Sequence, residues 1–314
     1  MLTLTRILCP TDFSEVSTTA EAYATALAHR YGAALHLLHV DPPTPVMSPY
    51  GEIPVDIRLF EDQRQQAEAD LAAARGRAQA AGVAADASIR GGYPAREVLA
   101  VAALEHADLI VLGSHGRGGV EHLLLGSVAE KVMRKAPCAV MVVPAGAHAP
   151  TSTGAEVRFS RILCPIDGSA ASADAVSYAV SLARETDGHL TLVYVVEPVP
   201  PVGEYGPLDA SDFRRMGETH AQAVLQAAVT PEVRAWCTVE EAVAFGKASE
   251  GILATAKSHA ADVIVMGVRG RGAIDVLAFG STTNAVIRRA TCPVLAVHPH
   301  GKDHRRLAAL PVTV

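Results

Sequence analysis

The stretch Gly113-Ser114-His115-Gly116, nine residues, then Gly126-Ser127 recurs as Gly267-Val268-Arg269-Gly270, nine residues, then Gly280-Ser281. Each copy closes an apolar run, LIVLG at 109–113 and VIVMG at 263–267. Each leads into a helix-like stretch and then a further apolar run. Spaced glycines between a strand and a helix suit a backbone cradle for phosphate, because main-chain N–H groups can be turned toward an oxyanion there. Two such cradles imply two copies of one unit.

The repeat extends well beyond the cradle. Cys9-Pro10-Thr11-Asp12 matches Cys164-Pro165-Ile166-Asp167, and Ser14, Tyr23 and Leu27 match Ser169, Tyr178 and Leu182. Further on, Gly92, Asp108 and Cys138 match Gly246, Asp262 and Cys292, so the copies differ in length by one residue. The change falls in a region that holds DPPTPVMSPYGEIP in one copy and EPVPPVGEYGPLD in the other. Both read as exposed loops, where length changes are tolerated. The small, polar stretch AGAHAPTSTGAE (145–156) marks the junction. The expected organisation is a domain at 1–146, a linker at 147–158, a domain at 159–300 and a tail at 301–314. Each domain is of a size that folds independently.

Within one copy, strands and helices alternate. Residues 6–10 read as a strand. Val16, Ala20, Tyr23, Ala24 and Leu27 give helix periodicity over 14–31, with Ser14 as N-cap and Gly32 as stop. Strands follow at 35–40, 85–90, 108–112 and 138–143, with helices at 57–81, 95–106 and 127–135. Alternation of this kind predicts α/β domains with a doubly wound five-stranded parallel sheet in the order 3-2-1-4-5. In that order the chain reverses between strands one and four, and ligands lie at such a switch point. Asp12 lies just past strand one and Gly113 just past strand four, so the two repeated features are expected to flank one crevice.

The chemistry expected there is nucleotide binding. Gly113, Gly116 and Gly126 leave room for an oxyanion against the backbone and permit positive φ. Ser127, with Val128 beside it, opens the helix and offers N–H donors backed by the helix dipole. Arg117 can screen phosphate charge, and His115 reads as a phosphate contact or a bystander, since its counterpart is Arg269. The second copy offers Gly267, Arg269, Gly270, Arg271, Gly280, Ser281 and Thr282. Asp12 and Asp167 suit an amino or ribose hydroxyl group. Pro10, Thr11, Pro165 and Ile166 form the strand ends that carry these carboxylates. Val40 and Val195 supply an apolar wall and a backbone edge for a base.

Composition narrows the classes. With 49% apolar residues, both halves can bury cores, and a net charge of −6 argues against nucleic acid as partner. No apolar run approaches the roughly 20 residues that span a bilayer, and no signal-peptide pattern opens the chain, so a cytoplasmic protein is expected. The five cysteines lack a Cys-x-x-Cys spacing and read as buried reduced thiols, four of them on strands. His298, His300 and His304 cluster after the last strand, a spacing open to a metal, but a solvated tail explains them as well and no metal site is expected. No P-loop, dinucleotide fingerprint or nucleophile elbow is present in the sequence. No catalytic residue is therefore expected.

At these residues the chain resembles the universal stress protein family in its tandem form. The family pattern Gly-x2-Gly-x9-Gly-Ser/Thr is matched at 113–127 and 267–281, and the early Pro-x-Asp at Pro10–Asp12 and Pro165–Asp167. The resemblance covers about residues 4–144 and 159–299. It implies an adenine-nucleotide-binding fold with ATP as the usual ligand, accompanied by Mg²⁺. It places Asp12 and Asp167 at the adenosine end, the backbone near Val40 and Val195 at the base, and the glycines with Ser127 and Ser281 at ribose and phosphates. It also implies pairing through strand five, hence an internal pseudo-dimer and further homo-oligomerisation. Three functions follow: a stress-response nucleotide sensor, a slow ATP hydrolase or phosphotransferase, or a scaffold with vestigial sites.

Overall fold

A computed structural model of the chain describes residues 2–43, 47–48, 51–52, 57–116, 125–150, 159–198, 210–268 and 280–298. The chain divides into two compact units, Leu4–Val157 and Arg158–Val314, the second including Met1–Thr3.

In the first unit, β1 (Arg6–Thr11) runs into α1 (Glu15–Tyr31) and β2 (Ala34–Asp41). A two-residue hairpin, β3 (Met47–Ser48) with β4 (Gly51–Glu52), falls inside the Pro-rich stretch that the sequence suggests is loop. Then come α2 (Ile57–Ala80), β5 (Ala85–Gly91), α3 (Pro94–Leu104), β6 (Leu109–Gly113), α4 (Ser127–Lys135) and β7 (Ala139–Val143). The strands lie parallel in the order β5-β2-β1-β6-β7, which is 3-2-1-4-5 by position in the chain.

The second unit repeats this with β8 (Arg161–Pro165), α5 (Ala170–Thr186), β9 (His189–Val196), α6 (Ala210–Ala227), β10 (Thr238–Phe245), α8 (Ala248–Ser258), β11 (Val263–Gly267), α9 (Ser281–Arg289) and β12 (Val294–Val297). Its order is β10-β9-β8-β11-β12, again parallel. A short helix, α7 (Pro231–Trp236), precedes β10 in this unit. It starts on Pro231, whose missing N–H costs nothing at a helix start.

Strands β7 and β12 are buried along their whole length, and β6 and β11 in all but their last residue. That is the pattern of a parallel sheet covered on both faces. The ends of α1 follow from local chemistry. Ser14 Oγ accepts from the Ser17 N–H, and Gly32 stops the helix at φ +62° with its N–H on the Ala28 and His29 carbonyls. Ser169 caps α5 in the same way through the Ser172 N–H. At the foot of each sheet an aspartate ties strand four to strand one. Asp108 Oδ2 accepts from Thr5 N at 2.7 Å and Arg6 N at 3.0 Å. Asp262 accepts from Ser160 N at 3.0 Å and Arg161 N at 3.1 Å.

All five cysteines are buried and unpaired. Cys9 and Cys164 lie on strands as expected. Cys138 and Cys292 instead lie just ahead of β7 and β12. The adjoining Pro137 and Pro293 lack the N–H needed for a ladder there, which delays strand entry.

Candidate functional site

The crevice arises from how β1 is paired. Its ladder with β2 continues to Thr11↔His39, whereas its ladder with β6 is confined to Ile7↔Leu109 and Leu8↔Ile110. The carboxyl ends of β1 and β6 therefore splay apart. The second unit does the same: β8 pairs β9 through Pro165↔Val193, but β11 only at Ile162 and Leu163. These are the switch points expected from the strand order.

Asp12 and Gly116 meet across that gap. A Cβ on Gly116 would collide with Asp12 Oδ2. The other carboxylate oxygen, Oδ1, accepts from Ser14 N at 3.1 Å and Ser14 Oγ at 2.6 Å. Asp12 is thus anchored on one oxygen and turned toward the cradle with the other. Asp167 accepts equivalently from Ser169 N at 2.9 Å.

The cradle is closed at its neck by the backbone. Gly126 N–H donates to Ser114 O at 2.7 Å, and Gly280 N–H donates to Val268 O at 3.1 Å. Gly126 has ψ 147° and Gly280 ψ 129°, so each is the extended residue before a helix. The first turns of α4 and α9 carry N–H groups that have no intrahelical acceptor. Ser127 and Ser281 are exposed there, with Val128 and Thr282 half-buried behind them. The helix dipole favours an anion at this end by about 0.3–1 kcal/mol at the surface.

The glycines work by space rather than by unusual dihedrals. Gly113, Gly116, Gly126, Gly267 and Gly280 are absent from the positive-φ residues, contrary to the sequence expectation. A Cβ on Gly113 would stand 2.9 Å from Val16 Cγ1 of α1. One on Gly267 would stand 2.7 Å from the Ala171 carbonyl oxygen of α5. These two glycines let the first helix settle onto strand four. One on Gly126 would stand 3.2 Å from His115 Cα, so this glycine lets the neck close.

The remaining expected residues divide as follows. Val40 is buried, and its backbone lies one residue past the last rung to β1, while on the other side it pairs with Arg90. Val195 is half-buried and lies two residues past the last rung to β8. His115 is half-buried, its Nδ1 3.1 Å from Ser114 Oγ. Pro10 is half-buried, Pro165 and Ile166 are buried, and the buried Thr11 donates its hydroxyl to Glu21 Oε1 at 2.6 Å. Arg117, Arg269, Gly270 and Arg271 lie outside the described residues.

Some neighbours of the site carry no sequence signal of their own. Phe13 stacks on His39 at 4.6 Å between ring centroids, and His39 Nδ1 lies 2.8 Å from Thr11 O. In the second unit, α6 and α8 close on the end of β9 through two helical glycines. A Cβ on Gly217 would stand 2.6 Å from Val196 Cγ1, and one on Gly251 3.0 Å from the Val195 methyls. Cys9 lies beneath the crevice. Burial, and then the charge of Glu21, push its thiol well above the ordinary range, so it offers no nucleophile.

A doubly wound sheet with a carboxylate at the end of strand one and a backbone-necked glycine cradle after strand four defines an α/β class with its crevice at the switch point. The universal stress protein family model matches residues 3–144 and 158–298, and the chain belongs to that family in tandem form. A universal stress protein of Mycolicibacterium smegmatis is 28% identical over 307 residues, covering 93% of this chain and 97% of that one. A universal stress protein of Methanocaldococcus jannaschii is 34% identical over 144 residues, 44% of this chain and 81% of that one. The crystal structure of a universal stress protein from Archaeoglobus fulgidus has a TM-score of 0.66 and 26% identity, covering 95% of this chain and 97% of that chain.

Proposed function

We propose that each half, 1–146 and 159–300, binds an adenine nucleotide in its crevice, ATP with Mg²⁺ in the first instance, and that the chain acts as a cytoplasmic stress-response sensor. The observation that carries this reading is the juxtaposition of Asp12 with Gly116. It sets an acceptor carboxylate against bare main chain beside a loop that leads to a helix N-terminus, groups whose chemistry suits a ligand with a hydroxyl-rich sugar and an anionic tail. Asp12 and Asp167 would take the sugar or amino end, and the starts of α4 and α9 the phosphates. Bound Mg²⁺ would offset phosphate charge in a chain of net charge −6. The arrangement supports holding the nucleotide rather than transforming it. Self-association, expected from the apolar fifth strands, is part of the same reading, and sedimentation velocity measures it. Among the described residues no helix is long and apolar enough to cross a membrane.

Isothermal titration with ATP, AMP and NAD tests the reading. Saturable ATP binding is expected, weakened about tenfold or more at the altered half in Asp12→Ala or Asp167→Ala, the scale of a lost charged hydrogen bond. Absence of binding at millimolar nucleotide contradicts it.

A further inference from the structure

The two halves build the turn after strand one by different means. In both, the residue following the aspartate is left-handed: Gly168 at φ +75° in the second half, Phe13 at φ +61° in the first. Glycine adopts that conformation without a steric penalty, whereas a bulky residue must be held in it.

The first half contains a set of contacts that holds it. Phe13 N–H donates to Thr11 Oγ1 at 3.1 Å. That hydroxyl in turn donates to Glu21 Oε1 at 2.6 Å, and Arg77 of α2 donates to Glu21 Oε2 at 2.9 Å. Glu21 is a carboxylate only 6% exposed, the one charged residue on a helix face that also buries Ser17, Ala20, Tyr23, Ala24, Leu27 and Ala28. A buried carboxylate is costly unless it is paired and hydrogen-bonded, and Glu21 is both. At the matching positions of the second half stand Ile166 for Thr11 and Val176 for Glu21, both buried and apolar. The polar chain exists only where the turn carries a side chain. It ends on the residue between Asp12 and its anchor Ser14.

We infer that Glu21, with Thr11 and Arg77, is a positioning residue for the nucleotide site of the first half: it locks Phe13 left-handed and thereby aims Asp12 at the cradle. This rests on the proposed adenine-nucleotide binding. The second half needs no such lock and serves as an internal control. The lock also ties the first site to the docking of α2, since Arg77 reaches Glu21 from that helix.

The test is photolabelling of the full chain with 8-azido-ATP, with peptides from each half quantified separately by mass spectrometry. Glu21→Val, which copies the second half, should lower first-half labelling affinity about tenfold through loss of a buried charged acceptor. Arg77→Met, at a side chain 59% exposed, should lower it about twofold. Glu21→Gln retains an acceptor for the Thr11 hydroxyl and should stay within about twofold of the parent. The deciding variant is Glu21→Val with Phe13→Gly. If the lock exists to hold a left-handed side chain, glycine removes the need for it, and affinity should return to within about twofold. A purely structural role predicts the opposite, because the second substitution also removes the stack on His39. Second-half labelling should not change in any variant. Labelling of both halves with no first-half loss in Glu21→Val, or no rescue in the double variant, overturns the inference alone. Labelling of neither half overturns the proposed function and this inference with it.

Discussion

The two halves agree in the main-chain contacts of their necks and differ in the side-chain layer beneath them. Both necks are closed by one backbone hydrogen bond, Gly126 N–H to Ser114 O and Gly280 N–H to Val268 O. Behind the necks, Ser114 N–H bonds Val143 O at 2.8 Å and Val268 N–H bonds Val297 O at 3.0 Å. The residues at those positions differ, serine in one half and valine in the other, without altering the bond. Beneath the crevices the halves diverge: a polar chain through Glu21 in one, Ile166 and Val176 in the other. Around the ends of β2 and β9 they diverge again, with Gly251 packed on Val195 where the first half carries Glu97, paired with Arg90 at 3.7 Å. A repeated motif of this kind preserves a backbone shape, and the side-chain layer under it is free to be rebuilt.

The sharpest way to break the likeness is to add one methyl group at the end of strand four. In Gly267→Ala the new Cβ meets the Ala171 backbone carbonyl, which cannot step aside without moving α5. We expect a loss of roughly 2–3 kcal/mol, at the upper end for overpacking. In Gly113→Ala it meets chiefly a Val16 methyl, which can shift, and about 1 kcal/mol is expected. Urea unfolding followed by circular dichroism measures both. Equal losses would show that the two helices rest on strand four in the same way.

Gly116→Ala comes next. The added group displaces the Asp12 carboxylate, while the Ser14 cap and the strands stay in place. ATP affinity of the first half should fall about tenfold while folding stability changes by under about 1 kcal/mol. A stability loss as large as that of Gly267→Ala would mean that Gly116 serves packing rather than the crevice.

The smallest difference is expected among the thiols. Burial, followed by the charges of Asp108 and Asp262, pushes Cys138 and Cys292 up to about 12. Burial also raises Cys9, Cys164 and Cys237. A raised thiol pKa keeps the protonated form at pH 8, and the thiolate is the reactive species. Iodoacetamide at pH 8 should therefore leave all five cysteines unmodified in the folded protein and modify all of them in urea. Fast reaction of one member of a matched pair would reveal an opening confined to one half.

What the sequence made legible was local. Ser14 and Gly32 bound α1 because capping depends on neighbours in the chain, and alternating apolar runs gave the strand order because parallel strands require crossovers. The crevice followed from that order together with Asp12 and Gly113. The reason for Gly113 and Gly267 was not legible, since it lies in the approach of α1 and α5, helices distant in sequence. Nor was the link from Arg77 to Glu21 to Thr11, which joins two helices and a strand end. The helix at Pro231–Trp236 and the paired strands Met47–Ser48 and Gly51–Glu52 were missed because each is too short to show periodicity.

A crystal structure of the protein grown with ATP and Mg²⁺ tests the central claim most directly. The account predicts an adenine nucleotide in each crevice, its sugar within hydrogen-bond distance of Asp12 or Asp167 and its phosphates at the N–H groups that open α4 and α9. Nucleotide bound elsewhere, or no nucleotide in either crevice, would contradict it.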